Sequence, residues 1–302
     1  MAEAPSFLAQ KRYAVVTGAN KGLGLEISRQ LASQGVVVLL TSRDEKRGFE
    51  AIEELKKSGI NSENLVYHQL DVTNPSSFAS LADFVKAKFG KLDVLVNNAG
   101  ISGVIVDYPA LMEAIRNRGA EINYDGVMKQ TYELAEECLQ TNYYGVKRTI
   151  NALLPLLQLS DSPRIVNVSS DVGLLKKIPG ERIREALGNA EKLTEESVDG
   201  LLDEFLTDFK EGKIAENGWP TFKSAYSISK AALNSYTRVL ARTYPSIIIN
   251  CVCPGVVKTD INLKMGHLTV EEGAVGPLRL ALLPPGSPSG LFYMKNEIAS
   301  FE

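Results

Sequence analysis

Histidine and cysteine are scarce in this sequence of 302 residues, which contains two histidines and three cysteines. The histidines, His68 and His267, are far apart, and no Cys-x-x-Cys pair is present, so the pattern of a zinc site is missing and we expect no metal. An odd number of cysteines, Cys138, Cys251 and Cys253, in a chain of this length indicates reduced thiols. We therefore expect a cytoplasmic protein.

Long apolar runs and an excess of positive charge are also missing. No run approaches the roughly 18 apolar residues of a membrane helix, and residues 1–13 lack the apolar core of a signal peptide. The formal net charge is −3, which provides no basic field for nucleic acid or a membrane surface. The composition, with 44% hydrophobic and 23% charged residues, is that of a globular protein. The expected partner is a small molecule.

Short apolar runs alternate with longer amphipathic stretches along the chain. Val36–Thr41 is apolar nearly throughout, which is typical of a strand buried on both faces of a parallel sheet. Further strands are predicted at Tyr13–Thr17, Leu65–Leu70, Val94–Val96, Arg164–Ser169 and Ile247–Cys253, and helices up to Leu31 and at Glu45–Lys57, Ser76–Phe89 and Glu133–Leu157. This order predicts an α/β fold, a Rossmann-type doubly wound parallel sheet, as one domain over residues 1–302.

Two stretches, about 103–130 and 180–218, do not fit simple alternation and are interpreted as insertions. Residues 181–217 contain eleven acidic and five basic side chains, an excess that favours a solvated face. The apolar residues of this stretch recur at helical spacing, which predicts an amphipathic helix laid on the main domain. They are Val198, Leu201, Leu202, Phe205 and Phe209, between an N-cap at Thr194 and a helix end at Gly212.

A glycine-rich segment, T-G-A-N-K-G-L-G, directly follows the first predicted strand and precedes a helix. Its spacing, G-x-x-x-G-x-G, is a variant of the dinucleotide fingerprint, in which glycines let backbone amides approach a pyrophosphate at a helix N-terminus. The cofactor contacts predicted in this loop are Gly18, Asn20, Lys21, Gly22, Leu23 and Gly24.

The end of the second predicted strand indicates which dinucleotide binds. Sites for NAD usually place a carboxylate there, whereas this chain has Ser42 and Arg43. A guanidinium binds phosphate bidentately, and Lys21 can reach the same 2′-phosphate, so NADP(H) is favoured. Both cations can instead be ordinary surface residues, and the neighbouring Asp44 opposes the assignment. After the third strand, Asp71 can accept a hydrogen bond from the adenine amino group, with Val72 beside it.

Tyr226 and Lys230 are four residues apart in S-A-Y-S-I-S-K, which places them on one face of a predicted helix. A phenol with a pKa near 10 is a poor catalyst at neutral pH. An ammonium about 4 Å away contributes roughly 4 kcal/mol, so we expect it to lower the tyrosine pKa by about three units. Such pairs also arise by chance, and the sequence around this one decides its meaning.

The chain resembles the short-chain dehydrogenase/reductase family in five motifs that occur in the family's order. They are T-G-A-N-K-G-L-G, N-N-A-G, N-V-S-S, Y-S-I-S-K and P-G-V-V-K-T. The acidic insert ending in N-G-W-P resembles that of monomeric carbonyl reductases. The segments Y-E-L-A-E-E-C and T-N-Y-Y-G are similar to those of plant reductases acting on terpenoids and alkaloids. The resemblance covers essentially the whole chain.

This resemblance implies roles for individual residues. Tyr226 matches the proton donor to the substrate carbonyl, and Lys230 matches the residue that binds the nicotinamide ribose. Ser170 matches the hydrogen-bond donor that orients the carbonyl, and Asn142 matches a residue of the proton relay. The implied cofactor contacts are Asn98, Ala99, Gly100, Pro254, Gly255, Val257 and Thr259, in addition to Tyr226 and Lys230.

The resemblance implies an NADPH-dependent, monomeric reductase that transfers hydride to the ketone of a hydrophobic, terpenoid- or alkaloid-like molecule. Reduction of an activated C=C bond is an alternative, but a relative with that activity carries a carboxylate in place of Tyr226. A non-catalytic NADPH-binding protein is a third possibility, opposed by the intact Ser170, Tyr226 and Lys230. The expected substrate wall is Ile101, Val104, Ile105, Val106, Leu174 and Ile261–Met265, although several of these residues can instead have a plain packing role.

Overall fold

The structure, a computed structural model, describes residues 11–116, 126–189 and 191–302. Parts of three predictions therefore lie outside the described residues. These parts are residues 1–10 of the N-terminal segment, residues 117–125 of the first insertion and residue 190 of the second.

Strands and helices alternate along the first half of the chain. They are β1 (Tyr13–Val16), α1 (Gly22–Ser33), β2 (Val37–Ser42), α2 (Glu45–Lys57), β3 (Leu65–Gln69), α3 (Pro75–Phe89), β4 (Val94–Asn97), β5 (Ile105–Val106), α4 (Tyr108–Arg116) and β6 (Met128–Lys129). The second half contains α5 (Tyr132–Leu139), α6 (Gly145–Leu157), β7 (Arg164–Val168), α7 (Glu181–Gly188), α8 (Glu195–Lys210), α9 (Ser224–Thr243), β8 (Ile248–Cys253), α10 (Val270–Ala281), β9 (Phe292–Met294) and β10 (Glu297–Ala299).

The central sheet has eight strands in the order β10-β9-β8-β7-β4-β1-β2-β3. All neighbours pair in parallel except β9 and β10, which are antiparallel. The chain proceeds from β1 outward to β3, then returns to β4 on the other side of β1, so the order reverses between β1 and β4. This Rossmann-type, doubly wound fold agrees with the prediction, and its crevice lies at that reversal.

Both faces of the sheet are buried, which explains the continuous apolar strands. Val15 and Leu39 point into a core shared with α3, α6 and α9, while their neighbours Val16 and Leu40 point into a second core shared with α1 and α10. Side chains alternate between faces, so a strand covered on both sides needs apolar residues at every position. No helix in the described parts of the chain combines the length and apolarity needed to cross a bilayer.

The predicted long helix at Glu133–Leu157 is interrupted. Helices α5 and α6 are joined by a π-helical turn at Gln140–Tyr144, which contains Asn142. Extra residues of this kind in a helix are frequent at functional sites. The next residue, Gly145, approaches the carbonyl of Val72 so closely that an added Cβ would lie 2.9 Å from that oxygen. One extra residue in a turn changes the spacing of the apolar positions only slightly. The hydrophobic periodicity of the sequence therefore does not reveal the π-helical turn.

The acidic insertion forms the predicted helix, α8. Thr194 accepts a hydrogen bond from the amide of Ser197 as the N-cap, and Gly212 follows in the left-handed conformation that ends helices. Its apolar stripe packs across α5 and α9, with Leu202 and Phe205 fully buried. The insertion thus covers the two helical segments next to the predicted catalytic residues.

Candidate active site

A cleft of about 880 Å³ lies at the carboxyl ends of the parallel strands. Because these ends meet at one edge of the sheet, residues that follow six strands line the same space, together with residues from the α5 and α9 regions. Of the predicted site residues, those lining it are Gly18, Asn20, Lys21, Gly22, Leu23, Gly24, Ser42, Arg43, Asp71, Val72, Asn98, Ala99, Gly100, Ser170, Tyr226, Lys230, Pro254, Gly255, Val257 and Thr259. The remaining one, Asn142, lies directly behind the wall.

The glycine loop leaves the first turn of α1 open to the cleft. Helix α1 begins at Gly22, and its N-cap residue, Lys21, makes no side-chain capping bond. Gly18 and Gly22 have φ angles of 62° and 54°, which favour glycine. A Cβ on Gly24 would collide with the Asn98 amide and the Gly18 carbonyl. This cradle of free amides at a helix N-terminus fits a pyrophosphate.

Asn98 holds the glycine loop from the neighbouring strand. Its side-chain amide donates to the carbonyl oxygens of Thr17 and Gly18, at 2.9 and 3.1 Å. The backbone amides of Asn98 and Ala99 both donate to the Thr17 hydroxyl. Asn98 therefore shapes the loop directly, whereas the family resemblance implied only a contact with the cofactor.

The side chain of Arg43 lies at the end of β2, exposed and without an ion pair among the described residues. Asp44, which opposed the NADP assignment, is occupied elsewhere because its carboxylate accepts from the amide of Arg47 as the N-cap of α2. Asp71 accepts from both the amide and the hydroxyl of Thr73 through a single oxygen. The Arg43 guanidinium is thus a positive charge at this end of the cleft that can bind an anionic ligand.

Lys21 is engaged differently from the prediction. Its ammonium lies 2.6 Å from the carboxylate of Asp260, which holds the pKa of that carboxyl below its usual range. Both side chains are more than half exposed, so the pair adds little stability and can exchange partners. The pair joins the glycine loop to the loop after β8, across the opening of the cleft.

Ser170, Tyr226 and Lys230 meet at the other end of the cleft. Ser170 follows β7, while Tyr226 and Lys230 lie on α9. The loop after β7 contacts α9 so closely that a Cβ on Gly173 would lie 2.5 Å from the backbone carbonyl carbon of Lys230. The Lys230 ammonium donates to the carbonyl of Val168 at 2.8 Å and lies 5.7 Å from the centre of the Tyr226 ring.

The expected lowering of the tyrosine pKa is not observed. Burial raises the pKa of Tyr226, and a hydrogen bond with Ser170 opposes the rise only partly. Burial also lowers the pKa of Lys230 to about 8. The ammonium therefore loses its proton before the phenol does and is uncharged when a phenolate would need it. In this site Tyr226 keeps its proton, as a proton donor must.

Asn142 is fully buried and links three segments through its side chain. Its carboxamide oxygen accepts from the amide of Ile101 at 2.9 Å, and its nitrogen donates to the Ile101 carbonyl at 3.0 Å and to the Ser229 hydroxyl at 3.1 Å. Cys138 lies 3.2 Å from the same nitrogen. The arrangement fixes the loop after β4 against α9 and so positions Lys230, which would lie 3.7 Å from a Cβ on Gly100.

A family model described as short chain dehydrogenase matches residues 12–181, and one described as Enoyl-(Acyl carrier protein) reductase matches residues 213–274. The chain belongs to the short-chain dehydrogenase/reductase family. It is 90% identical to "Short-chain dehydrogenase/reductase 1" of Saponaria officinalis over the whole of both chains. It is 56% identical to (+)-neomenthol dehydrogenase of Arabidopsis thaliana, over 96% of this chain and 98% of that one. The chain is therefore an oxidoreductase.

Among solved structures, salutaridine reductase of Papaver somniferum superimposes with a TM-score of 0.88 at 52% identity, covering 94% of this chain and 99% of that one. Two further relatives bear on the chemistry. (−)-Isopiperitenone reductase of Mentha piperita is 50% identical, over 95% and 97% of the two chains. A carbonyl reductase of Rattus norvegicus, whose name specifies NADPH, is 37% identical over 94% and 96%.

The substrate wall of this short-chain reductase differs from the prediction. Ile101 and Ile261 line the cleft, but Leu174 is buried with Cys251 and Phe292, and Val104 is not part of the wall. Ile105–Val106 instead pairs with Met128–Lys129 as a short hairpin. These apolar residues were assigned to the pocket because of their composition. Composition does not distinguish residues that line a cleft from residues that pack behind its lining.

Sequence reasoning missed several cleft residues. Asp260 faces Lys21, while Glu137, Phe222 and Lys223 approach from the side of α5 and α9. Lys223 stands three residues before Tyr226 in the sequence. This proximity to the predicted catalytic tyrosine was the available signal for its place in the cleft. The three cysteines are buried and free, as expected, although Cys253 also lines the cleft.

Proposed function

We propose that this enzyme reduces the ketone of a hydrophobic, terpenoid- or alkaloid-like molecule with NADPH. The observation that carries the proposal is the single cleft that joins an open helix N-terminus and a free Arg43 at one end to Ser170, Tyr226 and Lys230 at the other. The names of the plant relatives, which specify neomenthol and salutaridine, support this substrate class. We also infer a cytoplasmic location, which the three free thiols favour.

The residues of the cleft fit NADPH on two counts. The glycines of the loop have no Cβ, so a pyrophosphate could approach the amides of α1. The guanidinium of Arg43 has no ion pair among the described residues and could bind the 2′-phosphate. When bound, the cofactor supplies a hydride to the carbonyl carbon. Lys230 would bind the nicotinamide ribose, and the cradle at residues 18–24 would hold the pyrophosphate.

Ser170 and Tyr226 would then stabilise the negative charge that develops on the carbonyl oxygen. The Ser170 hydroxyl hydrogen-bonds with Tyr226, and its contacts with the Asp171 carboxylate, at 3.3 Å, and the Val172 amide, at 3.4 Å, are long. It can therefore turn toward a substrate oxygen that lies beside Tyr226. Tyr226 donates its proton to the same oxygen. Because burial raises the pKa of Tyr226, the proton stays in place until a more basic alkoxide forms.

Reduction of an activated C=C bond is a second candidate, favoured by the 50% identity with isopiperitenone reductase. The two activities are distinguished by incubating the enzyme with NADPH and either salutaridine, a simple cyclic ketone or isopiperitenone, then identifying products by mass spectrometry and NMR. We expect alcohols. A saturated ketone as the main product from the enone would favour the second candidate, and no product from any of them would contradict both.

Exchanging Arg43 for aspartate is expected to lower kcat/KM for NADPH by about a hundredfold, chiefly through KM. The guanidinium provides charge-assisted hydrogen bonds to a phosphate that is remote from the hydride. The measurement is steady-state kinetics with NADPH and NADH, with Lys46→Asp as the matched control because Lys46 is exposed on α2 outside the cleft. Equal kcat/KM for the two cofactors in the wild type would refute the NADPH assignment.

We infer one domain over residues 1–302 and a monomer. The stripe on α8 covers α5 and α9, and Asp199 of α8 accepts from the Tyr143 hydroxyl at 2.9 Å and from Lys147 at 2.6 Å. The surface through which these helices could pair with a second copy is therefore already occupied. Light scattering at micromolar concentration should give the mass of one chain, 32.9 kDa. A doubled mass that falls on dilution would show that the insertion leaves another interface open.

A further inference from the structure

Lys223 is a cation at the catalytic end of the cleft with no role in the chemistry above. It immediately precedes α9 and lines the cleft together with Phe222 and Tyr226. It stands three residues before Tyr226 in the sequence, and both side chains line the same cleft. Its backbone is left-handed, with φ 44° and ψ 51°, a costly conformation for a side chain other than glycine.

The charge of Lys223 is not compensated by the described part of the chain. No hydrogen bond or ion pair reaches its ammonium there, and the nitrogen lies 5.7 Å from the centre of the Phe222 ring. Burial alone lowers the pKa of Lys223. An isolated, partly buried charge is unfavourable, so the site gains when a ligand brings the opposite charge.

The other cations at the cleft differ from Lys223. Lys21 pairs with Asp260, and Lys230 donates to a backbone carbonyl. Lys258 and Lys264 line the cleft without an ion pair among the described residues, but both are exposed to solvent. Arg43 is exposed at the end of β2, where the adenosine phosphate is proposed to bind. Lys223 is thus a half-buried cation, uncompensated by the described residues, in the same part of the cleft wall as Tyr226.

We infer that Lys223 binds a carboxylate of the substrate, so the preferred substrate is a keto acid. This inference rests on the proposed reductase function and narrows its substrate class. The exposed apolar side chains of Phe222, Val256 and Ile261 at the cleft are suited to the hydrocarbon part of such a molecule. A neutral acceptor would gain a hydrogen bond but leave the charge uncompensated.

The test compares keto acids with their methyl esters, which keep the ketone and the ring but lack the charge. Suitable keto acids, each paired with its methyl ester, are 3-oxocyclohexanecarboxylate, 4-oxocyclohexanecarboxylate and 4-oxocyclohexaneacetate. They place the carboxylate at three distances from the carbonyl. The wild type should favour the acid over the ester in kcat/KM by about tenfold for at least one pair. In Lys223→Met this ratio should fall to about one, with ester turnover retained, and Lys223→Arg should restore it.

Lys176→Met is the matched control, because Lys176 is exposed near the cleft but does not line it. The inference is overturned if the acid-to-ester ratio is the same in the wild type and Lys223→Met for all three pairs. If no ketone is reduced, the proposed function fails instead. Calorimetric titration of the NADP⁺-loaded enzyme with cyclohexanecarboxylate and its amide then decides the inference: tighter binding of the carboxylate only with Lys223 present supports it, and equal binding refutes it.

Discussion

Replacing Tyr226 with phenylalanine should lower kcat by about a thousandfold while leaving the dissociation constant of NADPH nearly unchanged. The substitution removes one hydroxyl, the proposed proton donor, and keeps the ring in the wall of the cleft. A positioned general acid contributes about 10²–10⁴ in rate, and the glycine loop and Arg43 that would hold the cofactor are untouched. Single-turnover kinetics with NADPH and fluorescence titration of the cofactor measure the two quantities.

Tyr236→Phe is the matched control for this experiment. Tyr236 lies on the same helix, ten residues further on, fully buried and with its hydroxyl oxygen lacking a hydrogen-bond partner among the described residues. Its removal should leave kcat unchanged and stability equal or higher, since no bond is lost. If Tyr226→Phe kept more than a tenth of the wild-type kcat, another acid would have to supply the proton.

The fold was predictable where burial imposes a simple pattern. Strand β2 is apolar at nearly every position because both faces are covered. Helix α2 has the predicted bounds, and the structure shows Asp44 capping its first turn and Lys56 and Lys57 in its last turn. Helix α10 contains two glycines and Pro277, and β9 and β10 have three residues each, so neither propensity nor periodicity indicates them. Their formation depends on the edge of a sheet that already exists.

The sequence predicted which residues form the candidate site, but it did not predict their pKa shifts or their ion pairs. Spacing places Tyr226 and Lys230 on one face of a helix, yet the direction of a pKa shift depends on how deeply the pair is buried. Here burial raises the pKa of Tyr226 and lowers the pKa of Lys230, so the phenol holds its proton more firmly. Similarly, nothing in the sequence near Lys21 indicates Asp260, which lies 239 residues later.

Exchanging Lys230 for methionine should lower kcat/KM for NADPH by about a thousandfold, through both KM and kcat. Removing an ammonium placed to hydrogen-bond the ribose costs about ten- to a hundredfold in binding, and a misplaced nicotinamide costs about a hundredfold in rate. Tyr226→Phe, in contrast, should change kcat alone. In the wild type, KM for NADPH should rise as the pH passes about 8, where the ammonium of Lys230 loses its proton. This dependence should be missing from the methionine variant.

The same substitution tests the burial of Lys230 through stability. Its pKa is lower in the folded chain than the usual 10.5, so the unfolded chain binds more protons between about pH 8 and 10.5. The free energy cost of burying the ammonium is therefore complete below pH 8 and disappears as the pH rises toward 10.5. Melting temperatures of the wild type and Lys230→Met, measured from pH 7 to 10, should shift in favour of the wild type as the pH increases. A constant difference across this range would mean that the pKa of Lys230 is not lowered, and the ammonium would then remain charged throughout the working range of the enzyme.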